Sequence, residues 1–463
     1  MTNVPTGISG NIPGAIDWAF ENRRDAAAGL SAPIDKLFRN MQRARDVNPF
    51  SLPNYGAGPT AGEPIPSITW ASTGASGTVA RGSVNTGDLQ QYIRSESGIY
   101  TLDGSGAAGF PVVSTTIANV PNGSGKGGTV TAVSIMTDEL TPSFRMPYNP
   151  AVKYIVLVQD QFLGTHTNAT TSGATAARAP DVIPNGNSGG NQNCILTFPT
   201  RKLRKITFIS ELNWKLLSVW VKDAAQLYPP QNVDQMAFAC VTDSYGAYVS
   251  KSTVPNSFGF FNVASMLMTK LGASFRYNLG VAGTGFDTDG GDGKRYNDPP
   301  RLADIAAVHA LTPLSGILGF GSINERNMSP AAAAAGAVRW VSSARSILGP
   351  AVPIFVSGTS SGGQGVGTAP SSAILDIEKA TFAAVAGLSD PLVAVLPIST
   401  LGARGLFNGD GATGSSPGNV QSDLIHLTFG ADPGLANSVV GGNELMCNVL
   451  LEQMQLAASA MRR

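Results

Sequence analysis

The sequence predicts an α/β protein: a C-terminal parallel β-sheet flanked by helices, preceded by an antiparallel β-sandwich and a short helical N-terminal segment. Three observations lead to this fold class. After residue 230, apolar strand-like runs alternate with helical patterns, which is typical of a parallel sheet covered on both faces. Between 131 and 230, strand patterns follow one another with turn residues and no helical period between them. In the first fifty residues, apolar residues recur three and four apart in two short stretches.

The N-terminal segment, residues 1–60, contains these two helical patterns at residues 15–24 and 34–41. Helices of this length are marginal alone in water, so we expect them to pack on the rest of the protein, on sister subunits or on a larger assembly. Residues 61–130 are rich in Gly, Ser and Thr and contain only short strand-like runs. They are predicted to form a linker with irregular β structure.

Residues 131–232 are predicted to form the antiparallel β-sandwich, of a jelly-roll-like kind. A polar Ser/Thr/Gly/Asn-rich loop at 165–192 interrupts it, and such a loop either contacts a partner or is simply mobile. Trp214, Trp220 and Tyr228 could line a cleft, although aromatic residues on strands more often belong to a core or a domain interface. The predicted strands are residues 143–146, 153–158, 194–198, 204–209 and 217–221.

Residues 233–463 are predicted to form the parallel-sheet domain. Polar residues that do chemistry in such a domain lie on the loops that leave the carboxyl ends of the strands. The predicted strands are residues 237–241, 273–281, 317–320, 352–356 and 392–397, and the predicted helices are residues 258–271, 303–310, 329–347, 371–386 and 436–462.

The composition excludes several classes of function. The chain has 31 basic and 31 acidic residues, so no net field would attract phosphates, and we expect no nucleic-acid partner. Its three cysteines, Cys194, Cys240 and Cys447, are far apart and lack a C-x-x-C spacing, which predicts buried free thiols and no zinc site. Residues 1–33 lack the pattern of a secretory signal, and no apolar stretch is long enough to span a bilayer.

The three histidines limit where histidine-dependent chemistry can occur. His166 lies in the polar loop of the β region, and His309 ends a helical pattern, where a surface or capping role is expected. His426 differs because it ends the string Asp423-Leu424-Ile425-His426, ahead of the last helix. An Asp three residues before a His can hydrogen-bond the imidazole and stabilise its protonated form, but so short a motif needs structural context.

That context is a serine at the end of the first predicted parallel strand. The string Thr242-Asp243-Ser244-Tyr245 resembles the Gly-Asp-Ser-Leu block of the GDSL, or SGNH, hydrolases. Residues 278–285, after the second strand, resemble the glycine block of the family, and residues 322–325, after the third, resemble its Gly-x-Asn-Asp block. The string that ends in His426 resembles the last block.

The resemblance covers about residues 234–463 and implies a three-layer SGNH-hydrolase domain with a flavodoxin-like parallel sheet. It further implies a catalytic triad of Ser244, His426 and Asp423. The main-chain N–H groups of Ser244 and Gly283 and the side-chain amide of Asn324 would form the oxyanion hole. No cofactor and no metal are implied. The sequence departs from the blocks at Thr242, where the family has Gly, and at Ser322 and Glu325 in the Gly-x-Asn-Asp block.

Other interpretations of these residues stay open. Singly, a serine, glycine, asparagine or aspartate at such places is often a helix cap or a turn residue. The acidic glycine loop at 287–293 has part of a calcium-binding pattern, without the EF-hand spacing or its final Glu. The glycine-rich stretch at 360–365 lacks the Gly-Lys-Ser/Thr ending of a phosphate-binding loop.

A β-sandwich followed by an SGNH domain resembles carbohydrate esterases, which remove acetyl groups from polysaccharides, so the implied partner is an acetylated polysaccharide. The polar composition and the N-terminal helices resemble bacteriophage tail-fibre or tailspike proteins. That resemblance implies a virion location and either a homo-oligomer, with a trimer possible, or attachment to a larger assembly through residues 1–50. A cytoplasmic bacterial esterase is the alternative. The competing class is a non-enzymatic virion protein that is structural or binds glycans.

Overall fold

A computed structural model gives the arrangement of the chain. Its N-terminal helix, α1, spans Pro33–Asp46. The residues that the structure describes are 33–46, 66–72, 83–85, 94–95, 101–103, 112–114, 130–147, 154–158, 161–162, 191–211, 215–216, 218–221, 225, 227–228, 236–247, 262–273, 275–289, 294–359, 371–400 and 442–461. The first helical pattern, at 15–24, and Trp214 lie outside this part of the chain.

The β-rich region that follows α1 consists of antiparallel strands. They are β1 (Ser67–Ser72), β2 (Ser83–Asn85), β3 (Arg94–Ser95), β4 (Thr101–Asp103), β5 (Val112–Ser114), β6 (Val130–Thr137), β7 (Ser143–Pro147), β8 (Tyr154–Val158), β9 (Gln161–Phe162), β10 (Asn191–Thr197), β11 (Arg204–Glu211), β12 (Lys215–Leu216), β13 (Ser218–Trp220) and β14 (Leu227–Tyr228).

These strands form two main sheets, with the orders β1-β10-β7-β13-β2 and β14-β6-β11-β8-β9, and a small sheet β12-β5-β4. Alternation along β10 shows how one face is buried: Cys194 and Leu196 are inaccessible while Thr197 is exposed. β1 pairs with β10 over its whole length, from Ser67 opposite Thr197 to Ser72 opposite Gln192. A strand-like run at 67–70, within the stretch predicted as a linker with irregular β structure, is therefore part of a sheet, and its pairing partner lies more than a hundred residues away.

The C-terminal region is a parallel sheet with helices between its strands. Its strands are β15 (Ala237–Thr242), β16 (Phe275–Gly280), β17 (Gly316–Gly319), β18 (Ile354–Ser357) and β19 (Val393–Leu396). Its helices are α2 (Ser244–Ala247), α3 (Val263–Lys270), α4 (Pro299–Leu311), α5 (Pro330–Leu348), α6 (Ser372–Ala386) and α7 (Gly442–Met461). The predicted alternation of strand and helix is confirmed.

The strand order is β16-β15-β17-β18-β19, and every pairing is parallel. The chain leaves β15 to one side for β16 and then crosses to the other side for β17, which creates a switch point at the carboxyl end of β15. All six residues of β15 are buried. Phe238 and Cys240 face one apolar cluster, and Ala239 and Val241 face the other, so helices cover both faces of the sheet.

Helix α1 packs on this C-terminal domain, against α3, α7 and β17. Its side chains Ile34, Leu37 and Met41 are buried in the cluster that also contains Phe238 of β15. The apolar face predicted for residues 34–41 is thus occupied within the chain. Attachment to a larger assembly through residues 1–50 stays a prediction.

We expect Leu37→Ala to lower the free energy of unfolding by about 2–5 kcal/mol, because it removes a fully buried side chain and leaves a cavity between α1 and the domain. Chemical denaturation followed by circular dichroism measures this change. The matched control is Leu456→Ala on α7, since Leu456 is 62% exposed and its truncation should change stability by less than about 0.5 kcal/mol. Equal effects of the two substitutions would show that α1 does not stabilise the domain.

Candidate active site

The switch point brings Ser244 to the carboxyl edge of the parallel sheet. Thr242 ends β15, Asp243 follows it, and Ser244 is the first residue of the short helix α2. The turn closes through a hydrogen bond in which the N–H of Gly246 donates to the carbonyl oxygen of Asp243, at 3.1 Å. Ser244 is 8% exposed, so the turn holds its hydroxyl at the edge of a buried surface.

The threonine that departs from the family pattern fits into this turn because a glycine follows four residues later. The Thr242 side chain is buried, and a Cβ at Gly246 would overlap its hydroxyl. Asn278 fixes the turn from the neighbouring strand, since its Nδ2 donates to the carbonyl oxygen of Gly246 at 2.8 Å. The Thr242 side chain therefore packs behind the serine, and the turn still lies at the end of β15.

The loop after β16 approaches this turn. The N–H of Val281 donates to the carbonyl oxygen of Thr242 at 2.9 Å, which extends the contact between the two strands past their ends. Gly283 has a φ of +78°, a conformation that favours glycine, so the loop reverses there. The hydroxyl of Thr284 donates to the carbonyl oxygen of Val281 at 2.6 Å and closes the reversal.

Asn324 joins the glycine loop to the serine turn from the third strand. It lies in a 3-10 turn, Ile323–Glu325, just after β17. Its Nδ2 lies 3.1 Å from the carbonyl oxygen of Thr284 and 3.5 Å from Oδ2 of Asp243. The structure therefore brings the predicted residues Ser244, Gly283 and Asn324 to one edge of the sheet. Asn324 makes these contacts itself, and they reach the residue before Ser244 and the residue after Gly283.

Glu325 is a buried carboxyl group behind Asn324 that the sequence did not single out as functional. Its Oε1 accepts the main-chain N–H of Asp287 at 3.1 Å, so it ties the 3-10 turn to the loop after β16. Burial raises the pKa of Glu325 to about 8, and the carboxyl groups of Asp243 and Asp287 act in the same direction, while the N–H groups of Phe286 and Asp287 lower it. At neutral pH the folded protein therefore holds a proton on this group.

This pKa makes stability depend on pH. Because the folded state binds a proton that the unfolded state loses above the ordinary pKa of 4.5, the free energy of unfolding should fall as pH rises between about 4.5 and 8. The slope from Glu325 is about 1.4 kcal/mol per pH unit inside this window. Glu325→Gln should remove that slope in unfolding curves measured between pH 6.5 and 7.5.

The measured range lies above the titration of Asp304. Burial raises the pKa of Asp304 to about 6, so this group also lowers the free energy of unfolding as pH rises, but at lower pH. Glu452→Gln, at an exposed position of α7, is the control and should keep the slope of the parent protein. An unchanged slope in Glu325→Gln would mean that Glu325 is already ionised in the folded protein at pH 6.5.

The predicted triad partners Asp423 and His426 lie outside the described residues. Before these two residues, the described part of the chain ends at Thr400. There the buried side chain of Glu378 binds the residues that follow β19. Its Oε2 accepts the N–H groups of Ile398 and Ser399 at 3.2 and 2.7 Å, and its Oε1 accepts the N–H and hydroxyl of Thr400 at 3.0 and 2.8 Å. Sequence alone gave no signal for Glu378, because a lone Glu in a helical pattern resembles a surface residue.

Arg301 is a second buried charged group beneath the site that the sequence analysis missed. It is 2% exposed, and its Nη2 donates to the carbonyl oxygen of Thr242 at 3.4 Å. Its guanidinium group also lies over the ring of Tyr296, 5.4 Å from the centroid. Burial lowers the pKa of Arg301, while Tyr296, Asp304 and Asp298 raise it. This cation thus lies directly behind the end of β15.

The remaining candidates from the sequence have structural roles where they are described. Nδ1 of His309 accepts the N–H of Leu314 at 3.1 Å just after α4, which links the last turn of the helix to the segment that follows, and burial lowers the pKa of His309. Asp287 of the calcium-like loop pairs with Arg339 at 2.7 Å, and Asp289 lies 3.7 Å from Arg295. All three cysteines are buried free thiols, as predicted. The stretch at 360–365 lies outside the described residues.

In the described part of the chain, no three or more His, Cys, Asp or Glu side chains come together in a way that could hold a metal ion. Nor does any helix there have the length and apolar character needed to cross a bilayer.

Three solved structures are similar to this chain at low sequence identity. The salicylyl-acyltransferase SsfX3 from a tetracycline biosynthetic pathway is 13% identical, with a TM-score of 0.50 over 81% of this chain and 97% of that chain. A family two carbohydrate esterase from Cellvibrio japonicus is 10% identical, with a TM-score of 0.47 over 86% and 99%. An acetyl xylan esterase from the rumen bacterium Butyrivibrio proteoclasticus is 10% identical, with a TM-score of 0.43 over 68% and 90%.

No model of a protein family matches the sequence, and no curated protein matches it either. The likeness to SsfX3 spans nearly all of that protein and shows a shared fold. The five-stranded parallel sheet is consistent with the SGNH-like domain predicted from the sequence.

Proposed function

We propose that the protein is a serine-dependent ester hydrolase of the SGNH type. In this proposal Ser244 Oγ attacks the ester carbonyl carbon while His426 takes its proton and Asp423 orients the imidazole. The tetrahedral intermediate collapses to an acyl-enzyme and releases the alcohol, which receives the proton from His426. Water then attacks the acyl-enzyme by the same steps in reverse and releases the acid and free Ser244.

The observation that carries the proposal is the set of contacts among three separate strand ends. Val281 bonds to Thr242 beside the serine, and the Asn324 amide lies near both Thr284 and Asp243. Oxyanion stabilisation requires donors around one small volume, fixed before charge develops, and the proposal takes them from these three strand ends. Single helix caps and turn residues would have no reason to converge there.

The proposed substrate class comes from resemblance to other proteins. The resemblance of the sequence to carbohydrate esterases favours an O-acetyl ester on a polysaccharide. The fold shared with an acyltransferase supports a second possible reaction, in which an alcohol accepts the acyl group in place of water. Attachment to a phage tail and assembly into a trimer stay predictions from the sequence. Measurement of the mass in solution tests the trimer.

The experiment that tests this function is release of nitrophenol from nitrophenyl acetate by the purified protein between about pH 5 and 9, followed by release of acetate from acetylated xylan. We expect turnover that rises as a histidine loses its proton, with a midpoint near the ordinary histidine pKa of about 6.5. Adding an alcohol acceptor separates hydrolysis from acyl transfer, because transfer yields a new ester.

The competing function is a non-enzymatic virion protein that keeps the SGNH fold and is structural or binds glycans. It predicts no turnover of any ester by folded protein, together with measurable binding of a polysaccharide or of phage particles. The same preparation therefore distinguishes the two functions.

A further inference from the structure

Ser322 is a buried serine. It occupies the position of the glycine in the Gly-x-Asn-Asp block that residues 322–325 resemble. It is completely inaccessible to solvent and lies between β17 and the 3-10 turn that carries Asn324. Its backbone is extended, with φ −84° and ψ 139°, a conformation open to any residue. The backbone therefore does not explain a serine here, and its side-chain contacts have to.

The hydroxyl of Ser322 makes three hydrogen bonds. It donates to Oδ2 of Asp243 at 2.7 Å, and it accepts from the main-chain N–H and from Nδ2 of Asn324, at 3.0 and 2.9 Å. A hydroxyl has one donor and two acceptor lone pairs, so all of its capacity is used. Because both nitrogens of Asn324 can only donate, the hydroxyl hydrogen must point to Asp243.

These contacts hold the Asn324 amide between two strand ends. One amide hydrogen is directed at Ser322 Oγ at 2.9 Å and the other at the carbonyl oxygen of Thr284 at 3.1 Å, so an oxyanion would have to accept this second hydrogen in competition with Thr284. Asp243 also approaches the amide, but at 3.5 Å it is at the limit of a hydrogen bond. Ser322 is thus the nearest partner that fixes the rotation of the amide group.

Loss of the hydroxyl would leave the Asn324 amide free to turn toward Asp243. That carboxylate is itself fully buried and would have lost the Ser322 hydroxyl as a donor, so it would attract the amide away from Thr284 and the glycine loop. A displaced amide stabilises a developing oxyanion less well, while binding of the uncharged ester stays the same.

We propose that Ser322 is a positioning residue that acts through Asn324: its hydroxyl connects Asp243 to the Asn324 amide and holds that amide in place for the oxyanion. This role rests on the proposed esterase function.

A double-mutant cycle on kcat and KM for nitrophenyl acetate tests the role. We expect Ser322→Ala to lower kcat about tenfold, the size of one lost hydrogen bond, with KM unchanged. In the Asn324→Ala background the same substitution should lower kcat no further, because the group through which Ser322 acts is already gone. Ser315→Ala is the matched control, since Ser315 is also buried but precedes β17 at its other end.

Each outcome separates the inference from the function on which it rests. An unchanged kcat in Ser322→Ala, or an equal loss in both backgrounds, would overturn the positioning role while leaving the esterase function intact. No Ser244-dependent turnover in the parent protein would overturn both. If Ser322→Ala does not fold, Ser322→Gly removes the same hydroxyl at a position whose extended backbone accepts glycine, and the same outcomes decide.

Discussion

Ser244→Ala should abolish ester hydrolysis, with a fall in kcat of about a million-fold, to the limit of detection. In the proposed mechanism the Ser244 hydroxyl is the group that forms the acyl-enzyme, so its loss removes the first covalent step. Turnover of nitrophenyl acetate and covalent labelling by a fluorophosphonate reagent, followed by intact mass, measure the two consequences. The labelled mass should appear in the parent protein and be missing from the variant.

Ser346→Ala is the matched control for this substitution. Ser346 lies on an exposed position of α5, and its truncation should leave both turnover and labelling unchanged. If turnover persists in folded Ser244→Ala protein, Ser244 is not the nucleophile, and the convergence of the three strand ends has another purpose. If the parent protein is labelled by the reagent but does not hydrolyse the ester, hydrolysis of the acyl-enzyme has failed.

The next largest effect is expected for Asn324→Ala, which should lower kcat by about 100- to 1,000-fold while KM changes little. The amide would contribute mainly when negative charge develops on the carbonyl oxygen, so its loss raises the barrier without weakening ground-state binding. Steady-state kinetics with nitrophenyl acetate separate the two parameters.

Asn327→Ala provides the control, because Asn327 is exposed three residues farther along the chain. It should keep the kcat of the parent protein. A rise in KM with constant kcat in Asn324→Ala would mean that the amide binds substrate and does not stabilise the oxyanion. Equal losses in the two variants would point to a general disturbance of the segment after β17.

The parallel domain could be predicted closely because its periodicity is local. The runs at 237–241 and 317–320 lie within two residues of β15 and β17, and α5 begins one residue after the serine whose hydroxyl caps it. The strand-like run of β1 is visible in the sequence, but its pairing could not be predicted, since the residue that pairs with Ser67 is Thr197, far along the chain. Long-range pairing of this kind has no signature in a short window of sequence.

The site also contains residues that the sequence predicts and residues that only the fold reveals. The positions of Ser244, Gly283 and Asn324 after three neighbouring strands could be predicted, because each stands in a recognisable block, while their catalytic roles stay a proposal. Glu325 and Glu378 could not, since a buried carboxyl group is stabilised by the N–H groups that the fold brings to it. The role of Ser322 also required the structure, because its acceptor and donor partners come from β15 and from its own turn.

The packing of α1 on the C-terminal domain has a consequence for how the chain acquires its structure. During synthesis, residues 33–46 leave the ribosome long before α3 and α7, so the partners of Leu37 and Met41 do not yet exist. The contact order of this part of the core is therefore high, and its formation must await the last helix. A fragment that begins at residue 233 would carry the uncovered apolar surface and should aggregate where the whole chain does not.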